Sequence, residues 1–163
     1  MTRDAQAAAD VMIEKDYDAR AVANHLLFLA RNDDKWFTPL QVLKLTYYCQ
    51  GWGLAIFNAR LFYQEIEAWR YGPVVPAIYH AAKKYVDGPI TERLDARKAV
   101  FDEEDLALFR AVYLKYGSYQ GKQLITLTHK PGSPWDQIWS KRATDHDIIP
   151  IGVIKNYFLR LKG

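Results

Sequence analysis

Four histidines, one cysteine and the acids Glu65 and Glu67 are the first candidates for chemistry in this sequence. His25, His80, His129 and His146 are scattered. None falls in a spacing such as H-E-x-x-H, which sets two ligands on one helix face, and one cysteine cannot build a thiolate zinc site. They read as surface or capping histidines, with no metal and no other cofactor implied. Cys49 would be a nucleophile if a distant histidine reached it. Its setting, Tyr-Tyr-Cys-Gln-Gly-Trp within an apolar run, suits an inert packed thiol better. Glu65 and Glu67 stand two apart, so on extended backbone they share a face. Paired acids can hydrolyse glycosidic bonds, but a solvated face, or half of a salt bridge to a partner, is the simpler role. There is no glycine-rich phosphate loop. The sequence calls for no enzyme.

The stretch IEAWRYGPVVPAIYHAAKKY, residues 66–85, offers a different chemistry, that of a contact surface. Gly72-Pro73 makes a turn, and Pro76 is suited to open a helix running to about Tyr85. Trp69, Arg70 and Tyr71 therefore form a tip held with little conformational freedom. Trp, Tyr and Arg are the residue types most frequent at interface hot spots, and a rigid tip loses little entropy on binding. We take Glu67, Trp69, Arg70, Tyr71, Pro73, Val74 and Tyr79 as candidate partner-binding residues. The competing reading is that Trp69 and Tyr71 simply pack on the neighbouring helix, since extended segments bury alternate side chains.

The elements that must position this corner are mostly helical. Ala23, Leu26, Leu27 and Ala30 give an apolar face to a helix from about Ala19 to Arg31. Thr38 caps and Pro39 opens a second helix reaching Phe57, with Asn58 at its end. Leu40, Leu43 and Tyr47 form one stripe, and Val42, Leu45, Cys49, Trp52 and Ile56 another. A helix apolar on several faces is central and buried. Gly51 and Gly53 inside it imply a close backbone contact or a bend. Residues 61–69 alternate Phe62, Gln64, Ile66 and Ala68 with Tyr63, Glu65, Glu67 and Trp69, as one or two extended segments with a small hairpin.

Beyond the corner, residues 90–101 read as an irregular link. Asp102 caps a helix over 103–116 with Leu106, Phe109, Val112 and Tyr113 inward, and Gly117 stops it. Ser118 begins a helix to about Thr128. Ser133-Pro134-Trp135-Asp136 opens a short helix to near Lys141. Residues 145–147 read as a loop. Pro150 opens the last helix, whose stripe is Ile151, Ile154, Tyr157, Phe158 and Leu161. Residues 1–18 read as a mobile arm, and 19–163 as one compact, mainly α domain with a small β element near 61–71.

With 163 residues, half of them hydrophobic, the chain is long enough for a real core. A net charge of +3, evenly mixed, argues against nucleic acid as the main partner. The helix beginning at Thr38 also lacks the basic face of a recognition helix, with Lys44 its only charge. A single cysteine permits no intramolecular disulfide. No signal core and no membrane-length apolar run is present, so the expected location is the cytoplasm, without membrane contact.

The block T-P-L-Q-V-L-K-L-T-Y-Y-C-Q-G-W at 38–52 is followed by L-F-Y-Q-E-I-E-A-W-R-Y-G-P-V-V-P-A-I-Y at 61–79. T-H-K stands at 128–130 and P-W at 134–135. In this order the blocks resemble the Panacea antitoxin domain, also called the phage-associated GepA-like domain, in its SocA-type branch. The resemblance spans about residues 20–160 and includes the lysine-leucine pair at 44–45. It implies a mainly helical antitoxin of a bacterial toxin–antitoxin pair that binds its cognate toxin directly. For the SocA-type branch it further implies a proteolytic adaptor that presents the toxin to the ClpXP protease. It supplies no catalytic residues. The alternatives are a blocking antitoxin that acts by stoichiometry and a DNA-binding regulator of its own operon.

Overall fold

A computed structural model of the chain describes residues 11–163. The elements, in order, are β1 (Ile13–Tyr17), α1 (Ala19–Asn32), α2 (Pro39–Phe57), β2 (Ala59–Phe62), β3 (Glu67–Trp69), β4 (Gly72–Val74) and α3 (Pro76–Ala82), which runs into a 3-10 turn over Lys83–Tyr85. Then come α4 (Glu103–Tyr116), α5 (Gly121–Thr128), α6 (Pro134–Trp139), β5 (Asp147–Ile148) and α7 (Ile151–Lys162). The domain is mainly α, as the patterning implies.

Helix α2 is the centre. Thr38 and Gln41 form a reciprocal capping box at its start, with Pro39 in the first turn, so the first orphan amides are satisfied within the helix itself. Its residues from Val42 to Gly51 are all buried. Helices α1, α3, α4, α5 and α7 and strands β2 and β4 all pack on it. The close contact expected at its glycines is real. A methyl group on Gly51 would lie 2.3 Å from the Phe158 ring of α7, so only glycine lets that helix approach. Ile56, placed on a buried stripe by its spacing, is 47% exposed near the end of the helix.

Two small sheets flank the bundle. Strand β1 pairs in parallel with β2, Ile13 against Ala59 and Tyr17 against Phe62. Gln50 of α2 fixes β2 by accepting from the Leu61 amide at 2.8 Å and donating to the Phe62 carbonyl at 3.1 Å. The second sheet has the order β4-β3-β5, all antiparallel.

Several sequence expectations need correction. The arm expected over 1–18 does not hold for 13–18: residues 13–17 are paired as β1, and Asp18 caps α1. Residues 1–10 lie outside the described residues. The hairpin sits at 67–74, and Arg70-Tyr71 is its loop. Helix α5 starts at Gly121 after a Gln120–Gln123 capping box rather than at Ser118, and α6 ends at Trp139. The loop expected at 145–147 contains the start of β5. Leu106 and Leu161 face solvent. In α4 the inward position is taken by Asp105, fully buried, which accepts from the Tyr17 hydroxyl of β1 at 2.6 Å.

Candidate functional site: a hairpin corner rooted on a buried lysine

The β3–β4 hairpin is a corner because of Gly72. Its φ of +119° is open to glycine at low cost. A side chain there would also strike Lys44 Nζ at 2.9 Å and Thr128 Oγ1 at 3.0 Å. Glycine thus lets the chain reverse and lets its backbone rest on α2 and α5.

Lys44 is the root of the corner. It lies in the middle of α2, is fully buried, and donates from Nζ to the Pro73 carbonyl at 3.1 Å. Burial pushes its amine down to about 7, because an ammonium loses its hydration there. The bond to Pro73 needs only an N–H donor, so the neutral amine serves as well.

A second set of contacts holds β3. Trp135 Nε1 donates to the Trp69 carbonyl at 2.6 Å. The Trp135 ring lies 3.6 Å from that of His129, almost parallel. His129 follows the end of α5, and its Nε2 is buried with no hydrogen-bond partner. Desolvation, with the charge of Lys44 nearby, holds its imidazole below the usual histidine range. Beneath it, Ser133 Oγ donates to the Thr128 carbonyl at 3.0 Å and joins α6 to α5. The outer edge of β3 is covered by β5, and the Ile149 amide reaches the Ile66 carbonyl at 2.8 Å.

The four motif blocks therefore meet at one place: Lys44 from the first, Gly72 and Pro73 from the second, Thr128 and His129 from the third, Trp135 from the fourth. The domain family described as "Antitoxin SocA-like, Panacea domain" matches residues 42–136, which contain this whole root. Antitoxin SocA of Caulobacter vibrioides (strain NA1000 / CB15N) is 31% identical over 138 residues, covering 78% of this chain and 73% of that relative. The chain belongs to the SocA-like Panacea antitoxin family. No solved structure matches it.

The seven candidate contact residues differ in exposure. Arg70 and Tyr71 form the exposed tip, Tyr71 at 58%, with the guanidinium 5.6 Å from the ring centre. Tyr79 is partly exposed, with its ring edge-on to Trp69 at 4.9 Å. Trp69 and Glu67 are half-buried and bonded to each other, indole to carboxylate, at 2.9 Å. Pro73 and Val74 are buried in the body of the corner, away from its exposed tip. Trp69 is partly buried against the core, as the competing reading allows, and Tyr71 is not. The Trp69 ring stacks on His146, centroids 4.2 Å apart, and meets Tyr79 edge-on. Sequence reasoning read His129 and His146 only as surface or capping histidines, and His129 does cap the end of α5; it gave Lys44 and Trp135 no role at the corner. The signal for Lys44 was present: one cation inside a run apolar on all sides must find an acceptor.

The chemistry-bearing residues do not assemble. Cys49 is fully buried, and desolvation pushes its thiol far above the ordinary range. Glu65 lies outside any strand, 3.5 Å from Arg60, while Glu67 is engaged by Trp69. Among the described residues, no three His, Cys, Asp or Glu side chains are grouped to hold a metal, and no helix is long and apolar enough to cross a membrane.

Proposed function

We propose that this protein neutralises a cognate protein toxin in the cytoplasm by binding it directly at the hairpin corner, without catalysis. Arg70, Tyr71 and Tyr79 would make the contact, supported by Trp69 and Glu67. The observation that carries the reading is the rigid, exposed Arg70–Tyr71 tip in an antitoxin-family chain, rooted on Lys44, Gly72 and Trp135. Such a tip pays little ordering entropy on binding. As in the reading of the SocA-type branch, the bound toxin is then presented to ClpXP, so that toxin is consumed while this protein survives. The burial of α2 from Val42 to Gly51 speaks against its use as a DNA recognition helix.

The test uses the toxin encoded beside this protein. Arg70→Glu with Tyr71→Ala is expected to weaken toxin binding by roughly 100-fold or more, since hot-spot losses exceed about 2 kcal/mol, with the melting temperature unchanged. Undiminished binding by a folded double variant removes the corner as the contact. Toxin levels in protease-deficient cells then separate delivery from blocking. Toxin that disappears only when both this protein and the protease are present supports the adaptor. Constant toxin with lost toxicity supports the blocker.

A further inference from the structure

The 17 residues from Val86 to Asp102 contain no helix or strand, yet they are placed firmly. Asn24 of α1 takes both main-chain polar groups of Leu94, at 2.8 Å each, and Asp18 accepts from the Arg97 amide at 2.9 Å. Ordered structureless runs of this length inside a compact domain are uncommon and usually functional. Between this strap and α1 lies an open groove of about 1020 Å³.

The groove is strongly one-signed. Arg31, Arg93, Arg97 and Lys98 line it, all exposed, against one carboxylate, Glu92. Glu92 already faces Lys84 at 3.8 Å. Arg93 and Lys98 have no ion partner among the described residues. Between the cations lies an apolar surface that includes Phe28, 55% exposed on a helix whose other face is core, and Phe101. The strap amides of Thr91, Arg93, Ala96 and Ala99 bond to no described residue.

We propose that this groove docks an acidic, extended segment of a protein partner that carries aromatic or aliphatic anchors. The cations would take its carboxylates, the Phe28–Phe101 surface its anchors, and the free strap amides its carbonyls. A phosphate track would need cations continuing along a surface, whereas these surround an apolar floor. The groove shares no residue with the hairpin corner, so it serves a second contact, of the kind an adaptor requires, and stands or falls independently of the toxin reading.

Fluorescence anisotropy with the full chain tests it. The probe is a short fluorescein-labelled peptide alternating Glu with Leu and Phe. A matched peptide with Gln for every Glu and a short single-stranded DNA are the comparisons. The Glu peptide is expected to bind saturably and more weakly as salt rises. Arg93→Glu with Lys98→Glu, and separately Phe28→Ser, should each weaken it about tenfold or more, while Arg70→Glu leaves it unchanged. All these positions are exposed, and an unchanged melting temperature certifies each variant; Lys98→Gln with Phe28→Ser replaces any that melts early. The proposal is overturned by absent binding, by equal binding of the Gln peptide, by binding that survives the groove variants, or by DNA binding that those variants abolish while the peptide does not bind.

Discussion

Lys44 reaches from α2 to the hairpin corner, and Asn24 reaches from α1 to the strap. Each is a buried polar side chain that fixes a piece of backbone lacking helical bonds of its own. Asn24 does so as a neutral amide, donating from its nitrogen and accepting at its oxygen, so both of its polar atoms have a partner. Lys44 does so with one bond and an amine that burial drives towards the neutral form. The first arrangement stabilises outright. The second sets a position at a cost in stability near neutral pH, as buried cations without a carboxylate do. The two attachments should therefore respond differently to substitution and to pH.

The corner is most sensitive where Lys44 and Gly72 touch. Gly72→Ala forces a side chain into a left-handed backbone region and against Lys44 and Thr128. Strain and overpacking together are expected to cost about 3–5 kcal/mol in urea unfolding. Gly132→Ala is the matched control: its φ of +80° is also positive, but nothing lies within 4 Å of the added methyl. It should cost only the backbone strain, about 1 kcal/mol. Equal losses at the two glycines would mean that the corner is not seated on Lys44.

Asn24→Ala comes next. It leaves the amide and carbonyl of Leu94, itself buried, without partners. About 2–4 kcal/mol should be lost. Lys44→Met also orphans a carbonyl, that of Pro73, but removes a desolvated amine of similar volume, so at neutral pH its net effect should stay within about 1 kcal/mol. If Lys44→Met proves the more costly of the two, the lysine is a stabilising contact and the contrast fails.

The pH dependence sharpens the same contrast. The folded protein holds Lys44 at about 7, below its unfolded value of 10.5. Between those values the unfolded chain binds more protons, so stability rises with pH. Below about 7 the penalty is constant, and above 10.5 it has vanished. Each pH unit inside the window is worth at most about 1.4 kcal/mol, or about 5 kcal/mol across it as an upper bound. The stability difference between wild type and Lys44→Met should follow this rise from pH 7 to 10, whereas that between wild type and Asn24→Ala should stay flat. A flat Lys44 difference would show that the amine is solvated in the native state.

What could be read in the sequence follows the range of the forces involved. Thr38-Pro39, Asp102, Ser133-Pro134 and Pro150 located helix starts to within a residue, because caps act over three positions. Gly72-Pro73 located the corner for the same reason. Strand β5 could not be read: two residues carry no pattern, and their partner, β3, lies about eighty positions earlier in the chain. The stacking of His146 on Trp69 depends on that pairing and was equally hidden. Leu106 was misplaced because the buried face of α4 runs through Asp105, Leu108, Phe109, Val112, Tyr113 and Tyr116, and an acid was not expected on it; its partner, Tyr17 of β1, lies 88 positions away. Gln120 was passed over because a serine two residues earlier is the commoner cap. Lys44 was visible as the only charge in α2, but its acceptor, a carbonyl 29 residues on, was not.

The smallest expected effect separates the tip of the corner from its root. Arg70 and Tyr71 are exposed, and their mutual contact is a cation–π arrangement at 5.6 Å in water. Removing such a contact changes stability by no more than about 0.5 kcal/mol. Arg70→Glu and Tyr71→Ala should therefore unfold in urea within that margin of the wild type. Trp69→Ala should cost more, about 1–3 kcal/mol, since that indole stacks on His146, meets Tyr79 edge-on and bonds Glu67. The order matters more than either value. A tip that can be stripped without loss of stability is free to serve recognition alone. If Tyr71→Ala instead destabilises as much as Trp69→Ala, the tip is part of the architecture, and any loss of toxin binding in that variant would reflect a displaced corner rather than a missing contact.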